Sequence, residues 1–261
     1  MRAIWSGSIG FGLVHIPIKI YSAVESSKLD LDMLDKKDHS NIRYSRINVE
    51  TGKEVPWDQI VKGYKYEGDY VVLTEEDFEK ASPEKSKTIE IEEFVEEPMI
   101  DAEFFDTPYY TEPAKGGEKP YALLREALIE TGKVAVGRYI MRSRENFCIL
   151  RPFENMLMLV KLRFAEEIRD TSELNLPSEK IKIKPAELKM AVALVDQLTP
   201  KKFDITKYKD TYDAALLKLI RAKARGKKIP IPKSKITKTK SIDLMAQLKE
   251  SLEKKKQKRA S

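Results

Sequence analysis

The sequence predicts a mainly β fold with α: a strand-rich barrel core, then a helical arm and a basic tail. Three observations carry this expectation. Short runs of alternating apolar residues recur through the part of the chain before Ala165. Three of them, KVAVGRYIMRS, ENFCILRPF and MLMLVKLRF, follow one another with short connections, which favours antiparallel pairing in a closed or Greek-key barrel. Beyond Ala165 the period becomes helical, and the chain then turns rich in lysine and poor in apolar residues.

The first element lies in IWSGSIGFGLVHIPIKIY. Gly7, Gly10 and Gly12 suggest a phosphate loop, but a dinucleotide loop needs a strand before it and a helix after it. Here Val14, Ile16, Ile18 and Ile20 lie on one side and Leu13, His15, Pro17, Lys19 and Tyr21 on the other, so a strand follows, and the glycines are expected to mark its entry. Pro17 inside that strand points to an edge or a bulge.

NIRYSRINV is rich in β-formers and runs into a turn at Thr51-Gly52, while KGYKYEGDYVVL reads as a hairpin turning near Gly68-Asp69. Thr74 then caps a short helix, EEDFEKA, with Asp77 placed to answer it. SKTIEIEEFV and FFDTPYYTEP are extended. A helix follows with Pro120 in its first turn and an i, i+4 apolar pair, Leu124 and Leu128, with Tyr121 nearby; Gly132 fits the left-handed position after its end. Past the three barrel strands, a helix from Pro185 carries Leu188, Val192 and Val195 on one stripe. A second helix carries Tyr212, Leu216, Leu219 and Ile220 and closes at Gly226. KKIPIPKSKITKTK reads as a linker, and a last short helix from Ser241 would need a partner to be stable.

Composition narrows the function. The chain has 261 residues, with no run approaching the roughly 20 apolar residues of a membrane helix. No secretory pattern opens it, and a single cysteine, Cys148, cannot form an internal disulfide, so a cytoplasmic protein is expected. Charge is divided. From Arg221 to Ser261 there are 15 Lys and Arg against 3 carboxylates, whereas the first 220 residues hold 33 against 39. A basic tail on a mildly acidic body suits a polyanionic partner, nucleic acid before a membrane surface.

Catalytic constellations are sparse. His15 and His39 are the only histidines, too few for a metal cluster or a Ser-His-Asp set. Cys148 lies in an apolar strand and reads as a small buried hydrophobe. Thirteen carboxylates between Glu75 and Asp106 make a magnesium-dependent nuclease around Glu90–Glu97 conceivable, although alternation along a strand sends neighbours to opposite faces. The triplet ELK at Glu187–Lys189 resembles the end of some nuclease motifs but lacks an upstream aspartate nearby.

Basic residues are the stronger lead. Lys36, Lys37, Arg43, Arg46, Lys53, Lys62 and Lys65 gather after the first strand. Arg138, Arg142 and Arg144 are spaced to project from one face of a single strand, where they could track phosphates without reading bases.

Several long blocks also carry a resemblance. RAIWSGSIGFGLVHIPIKIYSA, KGYKYEGDYVVLTEEDFE, PYYTEP, GEKPYALLREALIETGKVAVGRYIMRSRE, LRPFENMLMLVKLRFAEEIR and YKDTYDAALLKLIRAK resemble the bacterial Ku family, in order, from Arg2 to about Lys228. His15 departs from the asparagine usual there. The resemblance implies a homodimeric ring that threads onto ends of double-stranded DNA, is not an enzyme, has no cofactor, and recruits the ATP-dependent DNA ligase D of non-homologous end joining. It implies a Ku-type barrel core over residues 1–184 with a bridge segment at 28–75, a helical arm at 185–228 and a lysine-rich tail at 229–261. The expected DNA contacts are Lys37, Arg43, Arg46 and Lys62 in the bridge and Arg138, Arg142 and Arg144 on the barrel. Lys227, Lys228, Lys254, Lys255 and Lys256 are expected contacts toward the tail. Ile242, Leu244, Met245 and Leu248 are the expected ligase contacts, and the expected location is the cytoplasm, at the nucleoid.

Overall fold

The structure is a computed structural model and describes residues 1–25, 29–81, 87–142, 144–178, 181–227 and Leu248. The chain divides into two compact units, Met1–Thr171 and Ser172–Ser261. No helix among the described residues is long and apolar enough to cross a membrane.

The first unit is built on a closed seven-stranded barrel. Its strands are β1 (Trp5–Phe11), β2 (Val14–Ser22), β5 (Thr88–Glu96), β6 (Phe105–Pro113), β7 (Lys133–Met141), β8 (Arg144–Phe153) and β9 (Met156–Leu162). They are arranged in the order β1-β2-β6-β9-β8-β7-β5. All neighbours are antiparallel except β1 and β5, whose parallel pairing closes the barrel. Closure removes the open edges that a sheet of this size would otherwise expose.

The glycine-rich start is itself a strand, which corrects the expectation that it only leads into one. Gly7 and Gly10 lie within β1, and Gly12 opens the two-residue turn into β2 with a φ of 57°. A glycine with positive φ in the first turn position fits the II′ hairpin, whose twist matches the flanking strands. Gly7 has a second reason: a Cβ there would meet the Lys87 carbonyl oxygen at 2.1 Å. Pro17 sits where its missing amide leaves no acceptor unpaired. The Ser8 amide turns to the Lys87 carbonyl; on the other side the Pro17 carbonyl accepts from the Ala114 amide, and the Ala114 carbonyl that a Pro17 amide would have met accepts from the Gly117 amide instead.

Alternation fills the barrel. Ile9, Ile16, Ile18, Ile20, Ile89, Ala135, Tyr139, Cys148, Leu150, Leu157 and Leu159 form one buried cluster with contributions from helix α2 (Glu118–Thr131). Tyr121 fastens that helix. Its hydroxyl accepts from the Leu157 amide at 2.7 Å and donates to the Thr111 carbonyl at 3.0 Å. Val134, Val136, Ile149, Val160 and Leu162, of opposite parity, form a second cluster on the outer face.

Between β2 and β5 lie the two-stranded sheet of β3 (Lys62–Tyr66) and β4 (Asp69–Leu73) and the short helix α1 (Glu75–Ala81). The β3–β4 turn falls at Glu67-Gly68, both with positive φ. Thr74 and Asp77 cap α1 reciprocally. The Asp77 carboxylate accepts from the Thr74 amide and hydroxyl, which holds it below the usual carboxylate range, and the Asp77 amide donates back to the Thr74 hydroxyl. NIRYSRINV does not form the expected strand. Among the described residues it forms only the single bridges Leu34↔Asn41 and Ile47↔Glu54 and no ladder.

In the second unit, α3 (Pro185–Leu198) and α4 (Thr211–Ala224) form as expected. Asp210 caps α4 by accepting from the Tyr212 and Asp213 amides, and Gly226 follows with a φ of 69°. Neither helix buries a residue.

Candidate nucleic-acid interface

Several cations of the barrel are paired with carboxylates, whereas among the described residues those of the segment between β2 and β5 are not. On the barrel, Arg138 bonds Glu92 at 3.0 Å and Glu145 at 3.2 Å. Arg151 pairs with Glu97, and Asp106 takes both Lys161 and Arg163. These charges are neutralised within the protein. Between Lys36 and Lys65, by contrast, none of the seven cations forms an ion pair among the described residues.

Local structure presents that second set. Asp35 accepts from the Lys37 and His39 amides, turning the chain so that Lys36 and Lys37 stand exposed at the bend. Arg43 is exposed between the two bridges. The Arg46 carbonyl accepts from the Val55 amide, and its guanidinium lies 4.4 Å over the Trp57 ring. Lys62 begins β3 and rests its ammonium 4.7 Å over the Phe78 ring. Each cation–π contact fixes a side chain without removing its charge.

The three barrel arginines do not share one face of one strand, as their spacing suggests. β7 ends at Met141, Arg142 occupies the turn with a φ of 55°, and Arg144 opens β8 opposite Met141. Arg138 has the parity of Val134 and Val136, on the outer face. Arg144 lies across from Met141, which packs on the interior cluster. The arginines therefore project to different faces. Arg142 and Arg144 are exposed and unpaired among the described residues, while Arg138 is bound to two carboxylates.

Lys227 is exposed beyond the end of α4. Lys228, Lys254, Lys255 and Lys256, with Ile242, Leu244 and Met245, lie outside the described residues; Leu248 alone of the expected ligase contacts is described, and it is part-buried.

Nothing in this geometry favours the nuclease. Glu92 and Glu97 are held by arginines, and no group of three or more His, Cys, Asp or Glu among the described residues could hold a metal ion. Cys148 is fully buried, and burial pushes its thiol well above the ordinary range. What the sequence missed is the pairing. The arginines were legible as charges, but their carboxylate partners lie on other strands.

The profile of the Ku70/Ku80 beta-barrel domain matches residues 10–190. The chain is 41% identical to the non-homologous end joining protein Ku of Coxiella burnetii, covering 97% of this chain and 95% of that protein. Against the protein of the same name from Bacillus subtilis, identity is 38%, covering 97% and 82%. Against that from Archaeoglobus fulgidus it is 38%, covering 97% and 99%.

Proposed function

The chain belongs to the Ku family, and on that premise we propose that it clamps the ends of double-stranded DNA, without sequence preference, in non-homologous end joining. The observation that carries this reading is the set of cations from Lys36 to Lys65 that no carboxylate of the described residues neutralises. Exposed, unpaired cations suit phosphate contact, and phosphates are the same in every sequence. The clamp performs no chemistry of its own and needs no cofactor.

The clamp is a ring of two copies. Two surfaces support this. The β3–β4 hairpin exposes Tyr64, Val71 and Val72, yet a lone two-stranded sheet is marginal in water. Helix α3 exposes Leu188, Val192, Val195 and Leu198. A second chain covering such apolar surface would stabilise both. The tail recruits the ATP-dependent DNA ligase D through Ile242, Leu244, Met245 and Leu248, with its lysines on DNA, and the protein works at the nucleoid in the cytoplasm.

Competition between linear and covalently closed plasmid of one sequence tests the clamp. The linear form should win by a wide margin, and equal competition would sink the reading. Deleting residues 233–261 tests the tail: ligase stimulation should fall more than end binding, and unaffected ligation would remove the docking role.

A further inference from the structure

Trp57 is an unusual residue to leave in water. It starts the 3₁₀ turn Trp57–Gln59 after Pro56 and is 72% exposed. One face of its ring carries the Arg46 guanidinium at 4.4 Å. Backbone bonds fix the two together. The Val55 amide donates to the Arg46 carbonyl at 2.8 Å, and the neighbouring bridge joins Ile47 to Glu54. Closed in this way, the loop brings Arg46 and Trp57 side by side, while the ring as a whole keeps most of its surface in solvent.

We propose that the exposed face of Trp57, backed by Arg46, is a stacking platform for an unpaired nucleobase, so that the protein grips single-stranded overhangs at DNA ends. This rests on the DNA-end reading and adds to it a second mode of contact. Every base offers a π-face, so stacking needs no sequence preference, and a protein that otherwise holds phosphates gains affinity without reading sequence. The surroundings favour nucleic acid over protein. Residues 36–66 hold seven Lys and Arg against four carboxylates, and none of the seven is ion-paired among the described residues. Basic residues interleaved with exposed aromatics are what a single strand needs: charge along its backbone and rings under its bases. Arg46 is then a positioning residue as well as a cation, since it orients the ring.

The experiment uses the full chain and three probes: a blunt duplex, the same duplex with an oligothymidine overhang, and a closed circle. Trp5, the other tryptophan, is part-buried and donates from Nε1 to the Ile140 carbonyl, so emission changes on adding DNA report chiefly on Trp57. The overhang duplex should quench emission and bind about ten-fold tighter than the blunt one. Trp57→Ala should abolish that difference between the two linear probes, whatever freeing Arg46 does to blunt-end affinity, and Trp57→Phe should restore part of it. Equal binding of the two linear probes by the wild type, or equal loss of both in Trp57→Ala, would overturn the platform. So would emission that follows protein concentration and ignores DNA, which would place Trp57 against a second copy. If the closed circle competes as well as the blunt duplex while the overhang still quenches emission, the end clamp fails and the platform stands.

Discussion

The Arg138 Nε lies 3.0 Å from the Glu92 carboxylate, so the most central of the barrel arginines is spent inside the protein. Glu145 on the next strand takes a second nitrogen at 3.2 Å. All three side chains are around half exposed, so the pairs add little stability, but they cancel the charge that a phosphate would meet.

That cancellation is measurable by the salt dependence of DNA binding. Replacing Lys37 and Arg43 with alanine together should lower the log–log slope by about 1.8, at roughly 0.9 per lost phosphate contact. Arg138→Ala should change it by less than about 0.5. Joint replacement of Glu92 and Glu145 by glutamine should release Arg138 and steepen the slope. An Arg138→Ala effect as large as that of the Lys37 and Arg43 pair would show that the ion pairs open on DNA.

Tyr121 joins α2 to the barrel. Phenylalanine there keeps the ring but strands the buried Leu157 amide, whose bond to the hydroxyl is 2.7 Å. The cost should be about 1–3 kcal/mol, read from urea unfolding as a lower midpoint at unchanged m-value. No shift would mean that another group satisfies the amide.

Two glycines should respond differently to alanine. At Gly137 a Cβ would stand 2.3 Å from the Glu90 carbonyl oxygen on the paired strand, and a backbone atom cannot swing aside. Gly137→Ala should therefore cost more than about 3 kcal/mol or prevent folding. Gly12 has open space and only its positive φ to protect, so Gly12→Ala should cost roughly 1–2 kcal/mol. Thermal melts of the two variants check the order.

Cys148 should be silent in the native state. Burial raises its thiol pKa, the charge on Glu92 adding to the effect, and no solvent reaches it. A disulfide reagent at pH 8 should label it only at the rate of unfolding. Its linkage sign follows from that raised value. The folded thiol keeps its proton where the unfolded one releases it. Its contribution is complete below the unfolded value of about 8.5 and falls as pH rises past it. Replacement by alanine should flatten that part of the stability profile.

Much of this protein was legible in its residues. The alternation in VHIPIKI fixed which side of β2 is buried, and Ile16, Ile18 and Ile20 are all inside. Gly132 closes α2, and Thr74 with Asp77 opens α1, because caps depend on neighbours only a few residues away. The segregation of charge, too, is a property of order along the chain.

Pairing lay beyond that reach. That β1 and β5 close a barrel in parallel, that Arg142 falls on a turn, and that Arg138 meets Glu92 all depend on which strands become neighbours. A repeat of two tells which face a residue takes within its own strand and nothing about the strand beside it. The sequence by itself therefore determined the elements, their buried sides and the supply of cations. Tertiary structure decided which cations remain available, because a charge is cancelled by whatever carboxylate the fold brings within about 4 Å, however distant in the chain.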